Sequence, residues 1–366
     1  MSGASTAVGS LLLRGLSWWS LHHPLRRSLT HASVTTDILE ALIVRADFDD
    51  VAGWAEVRTN GRYATGEDTG TVLTALTRTP LLDRTVEQGT TDLLPCSRLA
   101  AMALDVAAHD AAARAGGRAL HLLLGGPPTS RLATHAQVPF GTVGEAGLRA
   151  REAVTDGFGR IKVRVGGPDV DHDIARVAAV RAAAGDGVEL LTDANAGWDL
   201  AQAVQASGRL APLGVRWLEQ PVRGVADLAR VSASSDVPVR ADESVRDADD
   251  VAVLAAADAV QGVHLKLEKT GTVARLRTAV AVARSAGLHV ALGQMDQGRL
   301  GCAATTSLAA GLGIEEAELW GCADVDPTDD VAGPLILLEG SVLVPQGPGL
   351  GVVVTLTTPP SGALPR

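Results

Sequence analysis

Between about Thr134 and Trp320 the chain repeats one unit: a short β-branched run, a polar or glycine-containing loop, then an alanine-rich amphipathic helix. The strand candidates are THAQVPF, RIKVRV, VELLTD, VRWLE, VPVRA, GVHLKL, LHVALG and AELW, eight in all. Helices such as DHDIARVAAVRAAAG and GTVARLRTAVAVARSAGL fall between them, closing on glycine as helix ends prefer. Strict alternation of β and α, with strands apolar on both faces, dictates a parallel sheet. Eight repeats predict its closure into a (β/α)8-type TIM barrel, an α/β fold. A doubly wound open sheet would need a glycine-rich phosphate turn after its first strand, and VPFGTVGEAG lacks the GxGxxG spacing.

Residues 1–132 read differently, as an α+β segment with strand-like TTDILEALIVRADF and VAGWAEVRT and helices around 71–79 and 97–114. The tail GSVLVPQGPGLGVVV also reads as β structure and is expected to return onto that segment. Two domains result: an N-terminal α+β capping domain, 1–132, completed by the tail 340–366, and a barrel, 133–339.

The formal net charge of -10 and the lack of any Lys/Arg run argue against a nucleic-acid partner, whose phosphates demand a basic footprint. Cys96, Cys302 and Cys322 are too scattered for a disulfide framework or a CxxC metal site, which suits a reducing cytosol, and read as core thiols. The opening MSGASTAVGSLLLRGL has only a short apolar run cut by Arg14, and no apolar stretch reaches transmembrane length. A cytoplasmic protein acting on small molecules, with no membrane partner, is expected.

Active sites of such barrels sit at the C-terminal ends of the strands. Asp193 ends the third strand, Glu219 the fourth, Asp242 follows the fifth, and Lys266 stands on the sixth. Three carboxylates converging from adjacent strands repel one another unless a cation sits among them. All-oxygen ligation selects a hard divalent ion, Mg²⁺ first and Mn²⁺ next. The plainer reading, in which each acid caps the helix after it, suits one such residue better than three in register. On the second strand Lys162 and Arg164 share one face and call for anionic company. That strand lies four places from the sixth, so the pair faces Lys266 across the barrel mouth. Such a layout serves removal of a proton from the carbon next to a carboxylate, with a neutral lysine as base. Nearby cations and partial burial are expected to lower the Lys266 pKa.

This constellation resembles the enolase superfamily, in its muconate-lactonizing-enzyme-like branch. SRLAAMALDVAAHDAAARAGGRALHLLLGG resembles the helix that precedes the barrel there, VPQGPGLGVVV its closing segment, and LHHPLRRSLTHAS the N-terminal loop that caps the site. The resemblance implies Asp193, Glu219 and Asp242 as metal ligands and Lys266 as an acid/base. It makes Asn195 and Glu243 supports for those ligands and Asp296 the acid at the end of strand seven. It also implies a homo-oligomer.

The family's usual Lys-x-Lys on strand two is Lys-x-Arg in this chain. A guanidinium stays protonated and is a poor proton acceptor, which disfavours a two-base racemase. A one-base cycloisomerisation or syn elimination fits better, with Arg164 pairing with an anion and Lys162 either stabilising charge or serving as the second lysine. Against this, CADVDPTDD carries Asp324 and Asp326, an Asp-x-Asp resembling the dipeptide epimerases of the branch, where it would hold a substrate ammonium; a solvated acidic loop is the alternative. His22 is a candidate substrate contact, Trp18 and Trp19 are expected to pack the domains together, and Lys269 to be an auxiliary charge. The resulting expectation is a Mg²⁺-dependent isomerase that abstracts the α-proton of a carboxylate substrate, muconate cycloisomerase-like or racemase/epimerase-like. Its alternatives are a lyase resembling o-succinylbenzoate synthase and a metal- and carboxylate-binding homologue without turnover.

Overall fold

A computed structural model describes residues 8–30, 35–319, 321–326 and 328–364. Three long antiparallel strands open the chain: β1 (Leu13–Thr30), β2 (Thr35–Phe48) and β3 (Val51–Arg58), with Gly362–Ala363 of the tail added outside β1. Among the helices that follow, α1 (Thr69–Arg78) and α2 (Arg98–Ala115) lie close to the expected spans, with the shorter helix Val86–Leu93 between them. Ser97 starts α2 by accepting a hydrogen bond from Ala100 N at 2.9 Å, and its alanines let the sheet approach closely. Gly53 on β3 shows how closely: a Cβ there would lie 1.8 Å from the Ala107 carbonyl oxygen. Asp110, buried on α2, accepts from Trp54 N at 2.9 Å and Leu350 N at 2.7 Å, so one carboxylate ties helix, sheet and tail together.

Eight parallel strands then pair in chain order: β4 (Ala136–Val138), β5 (Arg160–Arg164), β6 (Glu189–Asp193), β7 (Val215–Glu219), β8 (Val239–Ala241), β9 (Gly262–Lys266), β10 (His289–Gly293) and β11 (Glu316–Glu318). Helices follow the first seven. After β11 the only helical turn among the described residues is the 3-10 turn Gly321–Ala323, where the repeat predicts an eighth helix. Trp320, the end of the expected AELW strand, lies outside the described residues. Contacts rather than a backbone ladder join the first and last strands: Leu319 N donates to Thr134 Oγ1 at 3.0 Å, and Gln137 Nε2 to Glu318 Oε1 at 2.8 Å.

Because side chains alternate along a strand, one set of every barrel strand points inward. Arg240 occupies the lower layer, paired with Glu316 at 2.5 and 2.9 Å and stacked over the Trp217 ring at 4.4 Å. This closes the floor beneath the strand ends.

Three expectations are corrected. LHHPLRRSLTHAS is not a loop: as far as Thr30 it continues β1, paired with β2, and its last residues, 31–33, lie outside the described residues. Cys96 is exposed, in the turn between two helices, while Cys302 and Cys322 are buried. Trp18 and Trp19 hold the tail rather than the barrel: Trp19 Nε1 donates to Thr358 O at 2.9 Å, and a Cβ at Gly362 would lie 2.3 Å from the Trp18 ring. Among the described residues no helix is long and apolar enough to cross a membrane.

Candidate active site

The parallel register sets Arg164 beside Asp193 and Asp193 beside Glu219, and Asp242 follows the end of β8. Directly after three of the strands the backbone enters the left-handed region at non-glycine residues, Asn195 (φ 45°), Gln220 (φ 38°) and Asp296 (φ 51°), the kind of local strain that gathers at functional sites. Gln220 shows its use. The Gln220 Oε1 atom accepts from Asp242 N at 2.9 Å and Ser244 N at 3.1 Å, and so fixes the strand end that carries Asp242.

Cations and acids interleave across the mouth. Lys162 Nζ lies 2.8 Å from Glu219, 3.0 Å from Glu318 and 3.5 Å from Asp193. Arg164 pairs with Asp193 and donates to Asn195 Oδ1 at 2.9 Å. Asp242 receives Lys266 at 2.8 Å and Lys269 at 2.5 Å. Asn195 Nδ2 reaches Asp193 at 3.3 Å and Glu243 at 3.0 Å. Asp296 pairs with Arg58 of β3 at 3.3 Å, and Arg58 also donates to Met295 O at 2.8 Å, which anchors the loop after β10 to the capping domain.

Burial by itself would raise the Asp242 and Glu219 carboxyls, but the lysines on Asp242, and Lys162 with His264 on Glu219, hold both well below the ordinary range. Glu243 opens to solvent on one side, yet the packing around its carboxyl and repulsion from Asp242 and Asp193 push it up to about 7. For Lys266 the expected direction is reversed. Burial lowers it, but contact with Asp242 and the field of Glu318 win and hold the amine well above the usual lysine range.

Arg164, Asn195, Asp242, Glu243, Lys266 and Asp296 line one pocket, joined by Lys269, Gln294, Met295 and Glu318 and roofed by Tyr63 and Ala64. Asp193 and Glu219 lie beneath, 1% exposed, and Lys162 lies beneath with them at 2%. Lys162 points into the buried carboxylates and reaches the pocket only through Glu318. Lys269, expected to be an auxiliary charge, is buried on Asp242. Asp324 and Asp326 meet β1 instead of lining the pocket: Arg26 N donates to Asp324 O at 2.8 Å, Leu25 bridges Val325, and the Arg26 guanidinium lies 3.5 Å from Asp326. His22 is exposed because strand alternation turns His23, not His22, inward.

Glu318 and His264 were missed by the sequence reading. Glu318, in the three-residue β11, gathers Lys162, Gln137 and two imidazoles: His135 at 3.8 Å and His264 at 3.5 Å. Its only signal is an acid two residues after Glu316 on an inward-facing strand.

The donors fit a hard divalent cation. Glu219 Oε2 is buried without a hydrogen-bond partner, and ligand atoms of Glu219, Asp242 and His264 lie within 4.8 Å of one another, with Asp193 adjacent in the sheet.

A family model described as enolase C-terminal domain-like matches residues 145–357. An L-Ala-D/L-Glu epimerase of Bacillus subtilis is 29% identical over 347 residues, 90% of this chain and 93% of that protein. Muconate cycloisomerase 1 of Rhodococcus opacus is 30% identical over 283 residues, 71% of each chain. The crystal structure of a dipeptide epimerase from Enterococcus faecalis, complexed with Mg and L-Leu-L-Tyr, superposes with a TM-score of 0.86 at 25% identity, covering 93% of this chain and 99% of that one.

Proposed function

Since this chain belongs to the enolase superfamily, in the branch that holds dipeptide epimerases and muconate cycloisomerases, we propose that it is a Mg²⁺-dependent isomerase working from one face of its substrate, with Lys266 as the base. The observation that carries the reading is the asymmetry of the pocket. Lysine amines line it from the β9 side, whereas the residue opposite is the Arg164 guanidinium, engaged by Asp193 and Asn195. Asp193, Glu219 and Asp242 would hold the cation. When bound, it would neutralise charge building on the substrate carboxylate and would compete with Lys266 for Asp242.

The chain's own residues do the rest. In the ring-opening direction Lys266 would take the α-proton as the lactone C–O bond breaks to release a carboxylate, and in the ring-closing direction it would deliver that proton to the same face of the same carbon. Arg164 fixes one carboxylate oxygen of the substrate, and Lys162 keeps the buried acids compatible with one another. Tyr63 and the Arg58–Asp296 pair close the pocket from the capping domain and limit water. We place the enzyme in the cytosol as a homo-oligomer, in keeping with three cysteines that form no disulfide.

A dipeptide epimerase is the second reading, favoured by the Bacillus subtilis relative. There Asp326 would exchange Arg26 for a substrate α-ammonium, and a proton would have to arrive from the Arg164 side.

Incubation with Mg²⁺ in D₂O and a panel of muconates and L,L-dipeptides separates the two by proton NMR. One-base chemistry puts deuterium on the α-carbon with retained configuration, or gives a singly deuterated lactone. Inversion with washout supports the epimerase. Neither exchange nor conversion across the panel would sink the proposal.

A further inference from the structure

We infer that His264 is a positioning residue for Glu219: it pins one carboxylate oxygen so that the other is left to the metal, an inference that rests on the metal-site reading above. His264 stands on β9 two residues before Lys266, facing the barrel interior at 1% exposure. A histidine buried on an apolar face usually settles on a backbone carbonyl. This one places Nδ1 2.9 Å from Glu219 Oε1, the same oxygen that accepts Lys162 at 2.8 Å. Two donors on one oxygen fix the plane of the carboxylate, because rotation would break both bonds together. Oε2 is left buried with no hydrogen bond, its nearest cation being Arg240 at 3.8 Å.

The neighbouring strand is shaped for the ring. Gly293 pairs with Lys266 in the ladder, and a Cβ there would lie 2.3 Å from His264 Nε2, so any other residue at this position would force the imidazole or the strand to shift. Glu318 stands on the far side at 3.5 Å from Nε2, which keeps the ring between two acids. His264 also belongs to the group of ligand atoms within 4.8 Å that includes Glu219 and Asp242, which raises direct ligation as the rival role. Nδ1, donating to Glu219, has no lone pair for a metal, so direct ligation would have to run through Nε2, which is buried without a hydrogen bond on the Glu318 side of the ring.

The test uses the full chain with Mn²⁺ as the probe, titrated by EPR, together with electron spin-echo modulation and thermal unfolding in EDTA. His264→Asn keeps an N–H near the Nδ1 position, and His264→Leu keeps bulk without a donor. The expectation is that the leucine variant binds Mn²⁺ about 10–100-fold more weakly, as loss of a ligand-orienting partner does. The asparagine variant should stay within about threefold of wild type, with no nitrogen coupling to Mn²⁺ in the wild type. If the leucine variant fails to fold, His264→Ala carries the same expectation. Equal binding by the leucine variant, or equal loss in the asparagine variant, overturns the inference, and a nitrogen coupling makes His264 a ligand instead. Wild type that binds no Mn²⁺ overturns the metal-site reading itself, which distinguishes that failure from the others.

Discussion

Lys162→Met removes the ammonium that sits 2.8 Å from Glu219, 3.0 Å from Glu318 and 3.5 Å from Asp193 at 2% exposure. Methionine matches the stem in length, so the packing loss is small, below about 1.5 kcal/mol. The charge is another matter. Asp193 keeps Arg164 and Glu219 keeps His264, but Glu318 retains only an amide and imidazoles. Breaking a buried pair and stranding its partner costs about 3–5 kcal/mol. With a urea m-value of about 3 kcal/mol/M, the unfolding midpoint in EDTA should fall by about 1–1.7 M. Saturating Mg²⁺ should shrink that loss, since the cation offsets the same carboxylates. The assay is a urea titration followed by circular dichroism, with and without Mg²⁺. An unchanged midpoint in EDTA would refute the view that the lysine holds the acids together. A variant that keeps its stability but loses all α-proton exchange would make Lys162 a base.

Two further outcomes follow from the same geometry. Arg164→Lys places a titratable amine opposite Lys266, so exchange with inversion, measured by chiral chromatography of product formed in D₂O, should rise on the order of 10²-fold; no rise would mean that the second face is closed for another reason. Burial, then Asp330, push the Glu56 carboxyl up to about 7 from an ordinary 4.5, against hydrogen bonds from Gly301 and Gly298. A raised carboxyl favours the folded state while protonated, so this stability is complete below about pH 4.5 and is lost as pH rises through 7, by about 3 kcal/mol. Thermal melts at pH 5 and pH 8 should show the fall, and Glu56→Gln should flatten it.

What the sequence disclosed follows from where its signals are local. Asp193, Glu219 and Lys266 each end a strand whose apolar run is visible on its own, and the repeat sets their order around the ring. The capping helix 98–115 is legible for the same reason, as a capped alanine-rich stretch. The eighth helix was lost because the repeat breaks off after β11. Glu318 and His264 were illegible because their partners come from across the barrel: Lys162 is 156 residues from Glu318, and nothing in GVHLKL says that Gly293 on the next strand has made room for an imidazole. The direction of the Lys266 shift was misjudged because the count of nearby cations hid the one contact that decides it, with Asp242 at 2.8 Å. The course of LHHPLRRSLTHAS, read as a loop, depends on pairing with β2, which its proline and arginines do not announce.

The central claim is that one group moves the proton while others hold the metal, and Lys266→Ala divides the two most directly. Mn²⁺ titration by EPR and α-proton exchange in D₂O are to be measured on the same sample of this variant, using a substrate on which the wild type is active. The account predicts Mn²⁺ affinity raised, or at most about threefold weaker than wild type, and exchange reduced by about 10³-fold or more. Exchange that persists near the wild-type rate while metal binding is intact would contradict it.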